Sequence, residues 1–196
     1  MKINELFLKY INHKEKTRTI GRYWATDISG MMKGYLKPEN FLAPVIKADL
    51  TGCKMMITGQ AMEEKLKMIF DQNNVNYEYQ VKREYQLTKD IILVARPDFI
   101  FPNFILETKF PFSLIKNNKI PDRYLSQLEC YYRIFDYKKV YLGVLTIPFN
   151  LKLISYVPNK KRWKQICKTL EEFHLKVVKQ TNNQKYESSK KDIFRR

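Results

Sequence analysis

The segment RPDFIFPNFILETKF, residues 96–110, holds two carboxylates and a lysine at spacings that suit chemistry. Asp98 lies late in one predicted strand, and the chain turns at Pro102 and Asn103 into the next strand. Glu107 and Lys109 are two residues apart, so their side chains lie on one face of that strand. A hairpin can therefore bring Asp98 beside Glu107. Two converging carboxylates form a hard oxygen site that suits Mg²⁺ or Mn²⁺.

Lys109 would add a positive charge to such a site. An ammonium group beside a metal can hold or polarise a water molecule and stabilise charge on a phosphoryl oxygen. The simpler alternative is a solvated ion pair between Glu107 and Lys109, because short motifs of this kind are common by chance. The helices predicted before and after the hairpin carry further matching residues, and this setting favours the catalytic interpretation.

The segment before the hairpin predicts a helix over residues 58–73. Its apolar residues recur at helical spacing and define one buried stripe: Met62, Leu66, Ile69 and Phe70. At about 100° per residue, Glu63 falls at the edge of this stripe, where it can lean over the end of the sheet. Glu64 falls on the solvent side. Glu63 is therefore a third candidate carboxylate.

The segment after the hairpin predicts a second helix, which opens at Pro121 and Asp122. Gln127 and Tyr131 are four residues apart, which places both side chains on one face of this helix. By itself this spacing is more typical of an ordinary amphipathic helix whose tyrosine packs under a sheet.

The composition indicates a folded, strongly basic protein. The chain has 196 residues, with 36 Lys and Arg against 20 Asp and Glu, a net charge of +16 and 44% hydrophobic residues. That apolar content excludes a wholly disordered basic protein. The charge predicts nucleic acid as partner, with an anionic membrane surface or an acidic protein as alternatives. No apolar run suits a membrane span, and we expect a cytoplasmic protein.

The pattern of elements predicts one mixed α/β domain over residues 1–180. We expect a helical arm over residues 1–45, a core over residues 55–158 and a C-terminal helix over residues 159–180. In the core, a helix precedes three antiparallel strands, a helix and two further strands. The basic segment over residues 181–196 is predicted to be a disordered tail.

Three cysteines, Cys53, Cys130 and Cys167, are too few and too widely spaced for a disulfide framework or a zinc site. We expect reduced thiols that serve as small buried hydrophobic groups. His13 and His174 have no carboxylate cluster at ligand spacing, and both are predicted to be structural or exposed.

Pro97 and Asp98, followed by Glu107-Thr108-Lys109, resemble the signature of the PD-(D/E)xK nuclease superfamily. Gln127 and Tyr131 match the QxxxY motif of its RecB-like branch. That branch includes the CRISPR-associated RecB-like exonucleases. The segment YWATDISGMMKGYLKP of this chain also resembles the opening helix of those enzymes.

The first motif of that branch has a glycine followed four residues later by a histidine. Here Gly59 is present and Glu63 stands at the histidine position. Some members bind an iron–sulfur cluster through four cysteines. Three cysteines in one chain cannot supply that ligand set, so no such cluster is expected.

The resemblance implies a restriction-endonuclease-like core, a mixed central β-sheet flanked by helices, with a helical N-terminal arm. It implies a Mg²⁺- or Mn²⁺-dependent deoxyribonuclease that acts as an exonuclease or on single strands. Asp98, Glu107, the Thr108 carbonyl and Glu63 would hold the metal, and Lys109 would position the attacking water. Gln127 and Tyr131 would line the cleft, orienting the lysine and contacting the substrate.

Basic residues in two segments are candidate DNA contacts: Arg22, Lys33, Lys37, Lys160, Lys161 and Arg162. The last three surround Trp163, which could stack on a base, although a core tryptophan with a solvated flank is the commoner case. Two other functions stay open, a non-catalytic DNA-binding or assembly protein and a dimeric structure-specific resolvase. The Lys-, Asn-, Ile- and Tyr-rich composition of a small nuclease would suit a virus or mobile element.

Overall fold

The computed structural model describes the backbone of residues 3–12, 18–43, 49–110, 119–136 and 139–193. Side chains are described in these ranges from residue 4 to residue 183, except at residue 12. His13 lies outside the described residues. The helices and strands, in chain order, are α1 (Ile3–Asn12), β1 (Arg22–Trp24), α2 (Ile28–Met32), α3 (Leu50–Gln72), β2 (Glu78–Tyr79), β3 (Arg83–Thr88), β4 (Ile91–Ala95), β5 (Phe99–Phe101), β6 (Phe104–Lys109), α4 (Asp122–Phe135), β7 (Val140–Thr146), β8 (Asn150–Ser155) and α5 (Lys160–Ile193).

The described strands form two mixed sheets. One sheet has three strands in the order β1-β4-β3, with β1 parallel to β4. The other has five strands in the order β2-β5-β6-β7-β8, and in it only β6 and β7 pair in parallel. Helices flank these sheets, so the predicted mixed α/β architecture is confirmed.

Alternation along β6 divides its side chains between two apolar clusters. Leu106 packs with Leu66 of α3 and with aromatic residues of β5. Ile105 faces the larger cluster, to which α2, α4 and α5 also contribute. Because successive strand residues point to opposite faces, Glu107 lies on the face of Ile105, toward α4.

The sequence predicted three successive strands between the first two core helices, and the structure has five. Gln80 adopts a left-handed φ of 51°, which ends β2 and separates it from β3. Pro97 lies between β4 and β5, and proline has no amide hydrogen with which to continue a ladder. The first two predicted strands are therefore each divided, with halves in different sheets, whereas the third is the single strand β6.

The described part of residues 1–45, which was predicted to be a helical arm, contains a strand as well as helices and contributes to the core. β1 pairs with β4, and Tyr23 in β1 is completely buried in the larger cluster. A three-residue strand is too short to show a period, so hydrophobic periodicity could not predict it.

Two helices are longer than predicted. α3 begins at Leu50 rather than near residue 58, because the Asp49 side chain caps it by accepting a hydrogen bond from the Gly52 amide at 2.7 Å. α5 continues to Ile193, beyond the predicted end at residue 180. Residues 181–193 were predicted as a disordered tail, yet they contain no glycine or proline that would end a helix. None of the described helices combines the length and apolar character that crossing a membrane requires.

Candidate active site

The β5–β6 hairpin places the two strand carboxylates opposite each other. Phe99 pairs with Leu106 and Ile100 with Ile105, and the chain turns at Pro102 and Asn103. This register continues to Asp98, one residue before β5, opposite Glu107 in β6. Glu107 is only 2% exposed. The predicted convergence of the two acids is therefore present.

Asp98 is held by the residue that follows Glu107. Its Oδ2 accepts hydrogen bonds from the backbone amide and the hydroxyl of Thr108, both at 2.7 Å. Burial, followed by the negative charge of Glu107, raises the pKa of Asp98 well above its ordinary value. Thr108 therefore acts through its amide and hydroxyl. The predicted role of its carbonyl as a metal ligand stays a prediction.

Glu107 has two chemically different oxygens. Oε1 accepts a hydrogen bond from Gln127 Nε2 at 2.7 Å and an ion-paired hydrogen bond from Lys109. Oε2 is buried and has no hydrogen-bond partner among the described residues. A buried carboxylate oxygen without a donor is costly, and it is a natural position for a cation to bind.

Lys109 is a cation in this setting. Burial alone would lower its pKa, but the charges of Glu107 and Asp98 outweigh that effect and raise the pKa above its ordinary value. The ammonium group also lies 5.6 Å from the ring centroid of Tyr124. Arg123 lies over the same ring at 4.7 Å. Sequence reasoning missed this aromatic neighbour, because no motif marks it.

Gln127 and Tyr131 of α4 form a chain of hydrogen bonds to Glu107. Gln127 Nε2 donates to the Tyr131 hydroxyl oxygen at 2.6 Å as well as to Glu107, and Tyr131 donates to the Arg96 carbonyl at 3.2 Å. Burial, with the charge of Glu107, raises the pKa of Tyr131 well above its ordinary value, so it is a neutral donor. The resemblance implied that this pair orients Lys109. In the structure Gln127 bonds to Glu107 instead, and Tyr131 bonds to Gln127.

Glu63 of α3 faces the same site. It is half-buried, whereas Glu64 is exposed, in the positions that the helical period predicted. After burial and the charge of Glu107, the charge of Glu63 also contributes to the raised pKa of Asp98. Glu63 Oε1 accepts hydrogen bonds from the Tyr79 hydroxyl at 2.7 Å and from Gln80 Nε2 at 2.8 Å. Sequence reasoning missed Tyr79 and Gln80.

The three carboxylates share one arrangement. In each of Glu63, Asp98 and Glu107, two donors bond to one oxygen, and no described residue donates to the other. Within the described residues, no three His, Cys, Asp or Glu side chains stand close enough to form a complete metal cage. The undonated oxygens, above all the buried Oε2 of Glu107, nevertheless fit a hard divalent cation such as Mg²⁺ or Mn²⁺.

The predicted DNA contacts divide into two groups. Arg22 forms an ion pair with Glu84, and Arg162 donates a hydrogen bond to the Tyr156 hydroxyl at 2.8 Å, so both have structural partners. The lysines of the set are exposed: Lys33, Lys37, Lys160 and Lys161.

Trp163, which the sequence offered as a base-stacking residue, is only half-buried. Its ring centroid lies 6.0 Å from that of Tyr85 in an edge-on arrangement, and Arg133 lies 5.9 Å from it. The aromatic group beside the α5 lysines is therefore partly open to solvent.

The cysteines and His174 take structural positions. Cys53 and Cys130 are buried, Cys167 is partly buried, and none of the three forms a disulfide bond with another described residue. His174 Nδ1 lies 2.9 Å from the Tyr23 hydroxyl, in a hydrogen bond between α5 and β1.

Comparison with solved structures identifies the fold. An alkaline exonuclease from Laribacter hongkongensis, LHK-Exo, superposes with a TM-score of 0.66 at 11% identity, covering 95% of this chain and 98% of that one. The fold is restriction-endonuclease-like. The same enzyme in complex with dAMP gives a TM-score of 0.64 at 13% identity, over 87% and 95% of the two chains. A phage-related exonuclease from Haemophilus somnus 129PT gives 0.53 at 9% identity, over 88% and 99%. No family model matches the chain, and no curated protein matches it in sequence.

Proposed function

We propose that the protein is a metal-dependent deoxyribonuclease of the RecB-like branch, acting as an exonuclease or on single strands. The observation that carries this proposal is the set of three carboxylates beside a lysine cation. In each, donors hold one oxygen, and no residue that the structure describes donates to the other. The exonucleases that share its fold support the proposal, as does the net charge of +16.

A divalent metal, Mg²⁺ or Mn²⁺, would be held by Asp98, Glu107 and Glu63, with the Thr108 carbonyl as a further ligand. When bound, it would supply Lewis-acid activation of water and of the scissile phosphate. The oxygen donors suit these ions, and three cysteines are too few for the four thiolates of an iron–sulfur cluster.

The chain's own groups would perform the remaining work. Lys109 would hold a water molecule beside the phosphate and offset the negative charge that develops on its oxygens. Gln127 fixes the orientation of Glu107, because its amide nitrogen bonds to both Glu107 and Tyr131. Tyr131 in turn anchors α4 to the Arg96 carbonyl beside the hairpin.

We propose DNA as the partner, and the lysines exposed on α5 and near α2 as its backbone contacts. One neighbour in fold binds dAMP, a nucleotide. If about six phosphates are contacted, affinity should fall by roughly 10³-fold between about 50 and 200 mM salt. A salt-insensitive affinity would indicate another partner. Cysteines that form no disulfide among the described residues suit a cytoplasmic protein, and the phage-related neighbour suits a viral or mobile origin.

The test uses labelled DNA, single- and double-stranded, linear and circular, with Mg²⁺, Mn²⁺ or chelator. We expect cleavage with metal only, and none by Glu107→Gln, whereas the matched surface variant Glu64→Gln should retain wild-type rates. Attack on linear but not circular DNA would identify an exonuclease. Full activity in chelator or in Glu107→Gln would refute the proposal, and DNA binding without any cleavage would favour the non-catalytic alternative.

A further inference from the structure

The dipeptide Tyr79-Gln80 lies at the end of β2 and contacts Glu63 through both side chains. The Tyr79 hydroxyl donates to Glu63 Oε1 at 2.7 Å, and Gln80 Nε2 donates to the same oxygen at 2.8 Å. Gln80 Nε2 also lies 3.2 Å from the Tyr79 hydroxyl oxygen. Three polar groups therefore form a closed ring of hydrogen bonds around one carboxylate oxygen.

The backbone of the same dipeptide is joined to the strand of Asp98. Tyr79 pairs with Phe99, and the Gln80 amide donates to the Asp98 carbonyl at 2.9 Å. Gln80 reaches this position with a left-handed φ of 51°, which a residue with a side chain rarely adopts. Two residues thus connect the α3 carboxylate to the hairpin carboxylate.

We propose that Tyr79 and Gln80 are positioning residues that hold Glu63 with its Oε2 available to the divalent cation. This inference rests on the proposed function. Both donors occupy Oε1, and no residue in the described part of the chain donates to Oε2. Donors behind a ligand fix its orientation, and their loss commonly weakens metal binding by about 10- to 100-fold.

A purely structural role is the alternative, in which the bonds only attach α3 to the sheet. A neighbouring tyrosine already supplies such an attachment. Tyr77 donates to Asp71 of α3, and its ring packs against Phe70 and Phe99. Tyr77 and Tyr79 therefore make the same type of bond to the same helix, but only Tyr79 bonds to a candidate ligand.

The experiment is calorimetric titration of the full-length protein with Mn²⁺ alone, without DNA. We expect Tyr79→Phe and Gln80→Ala to weaken Mn²⁺ binding by about 10-fold or more. Tyr77→Phe is the matched control and should leave Mn²⁺ affinity unchanged. Thermal melting in chelator checks that each variant is folded, and Tyr79→Phe removes a single oxygen should Gln80→Ala fail to fold.

A double-mutant cycle separates positioning from general loss of structure. In a Glu63→Ala background, Tyr79→Phe should cause no further loss of Mn²⁺ affinity, because the group it positions is absent. Equal Mn²⁺ affinity of wild type and Tyr79→Phe would overturn the inference. So would a loss of Mn²⁺ affinity on Tyr79→Phe that is as large in the Glu63→Ala background as in the wild type. Either result would leave the proposed function intact. Failure of the wild type itself to bind Mn²⁺ would overturn both.

Discussion

The raised pKa of Asp98 predicts how metal-free stability depends on pH. Burial and the charge of Glu107 raise the pKa of Asp98 in the folded protein, so the folded state holds this proton to higher pH than the unfolded chain. The stability that this proton contributes is complete below the unfolded pKa and is lost as pH rises through the folded pKa. Asp98→Asn keeps an acceptor for the Thr108 bonds and removes the charge. It should therefore stabilise the metal-free protein increasingly as pH rises.

The size of the effect follows from one proton. The free energy of unfolding of the wild type, relative to Asp98→Asn, can fall by at most about 1.4 kcal/mol per pH unit. For a chain of 196 residues, 1 kcal/mol corresponds to a change in Tm of about 2–4 °C. The difference in Tm between the two proteins should therefore grow by up to about 3–6 °C per pH unit above the ordinary aspartate pKa, until the folded pKa is passed.

Thermal melts in chelator between about pH 4 and pH 9 measure this difference, with the exposed Asp90→Asn as control. Mn²⁺ at about 100 times its Kd should then stabilise the wild type by about 2.7 kcal/mol and Asp98→Asn far less. A Tm difference that does not change with pH would refute the assignment of a buried, repelled carboxylate. Equal stabilisation of both proteins by Mn²⁺ would refute Asp98 as a ligand.

Three further outcomes are expected. Glu63→Ala should lose most cleavage activity and weaken Mn²⁺ binding. The exposed Glu64→Ala should change the free energy of unfolding by at most about 0.5 kcal/mol. An inactive Glu64→Ala would mean that α3 presents Glu64, and not Glu63, to the site. Gly143→Ala should destabilise by about 1–3 kcal/mol in denaturant melts, because its Cβ would lie 2.8 Å from Leu106 Cδ1, and wild-type stability would show that this side chain moves freely. Glu129→Gln should cost about 3 kcal/mol in the same assay, because this completely buried carboxylate accepts three hydrogen bonds from neighbouring residues, and a neutral effect would show that those bonds contribute little.

The hairpin was predictable because its signals are local. Pro102 and Asn103 mark a turn, and alternation in the next strand assigns Glu107 and Lys109 to one face. The i,i+4 spacing of Gln127 and Tyr131 likewise corresponds to one helical face, and both bond together in the structure. Where residues lie within one element, or across one tight turn, the period of the element determines which of them meet.

The residues that the sequence did not reveal meet through tertiary structure. Tyr79 and Gln80 are 16 and 17 residues from Glu63 in the sequence. Gln80 also adopts a left-handed φ, which a sequence usually indicates by a glycine, and no glycine is present at this position. β1 is too short to show a period, and its place is decided by pairing with β4. α5 extends to Ile193 because residues 181–193 contain no glycine or proline, although the polar and basic composition of these residues is typical of a disordered tail.

The polar groups of the site must satisfy two requirements that conflict. Without metal, each buried carboxylate needs donors, because an unpaired buried charge is costly. With metal, each needs a free oxygen. Concentrating two donors on one oxygen meets both requirements. In Glu107, Gln127 and Lys109 both donate to Oε1, and the buried Oε2 receives no hydrogen bond from the described part of the chain. A purely structural ion pair would gain by spreading its donors over both oxygens, so this asymmetry is better explained by a bound cation than by stability.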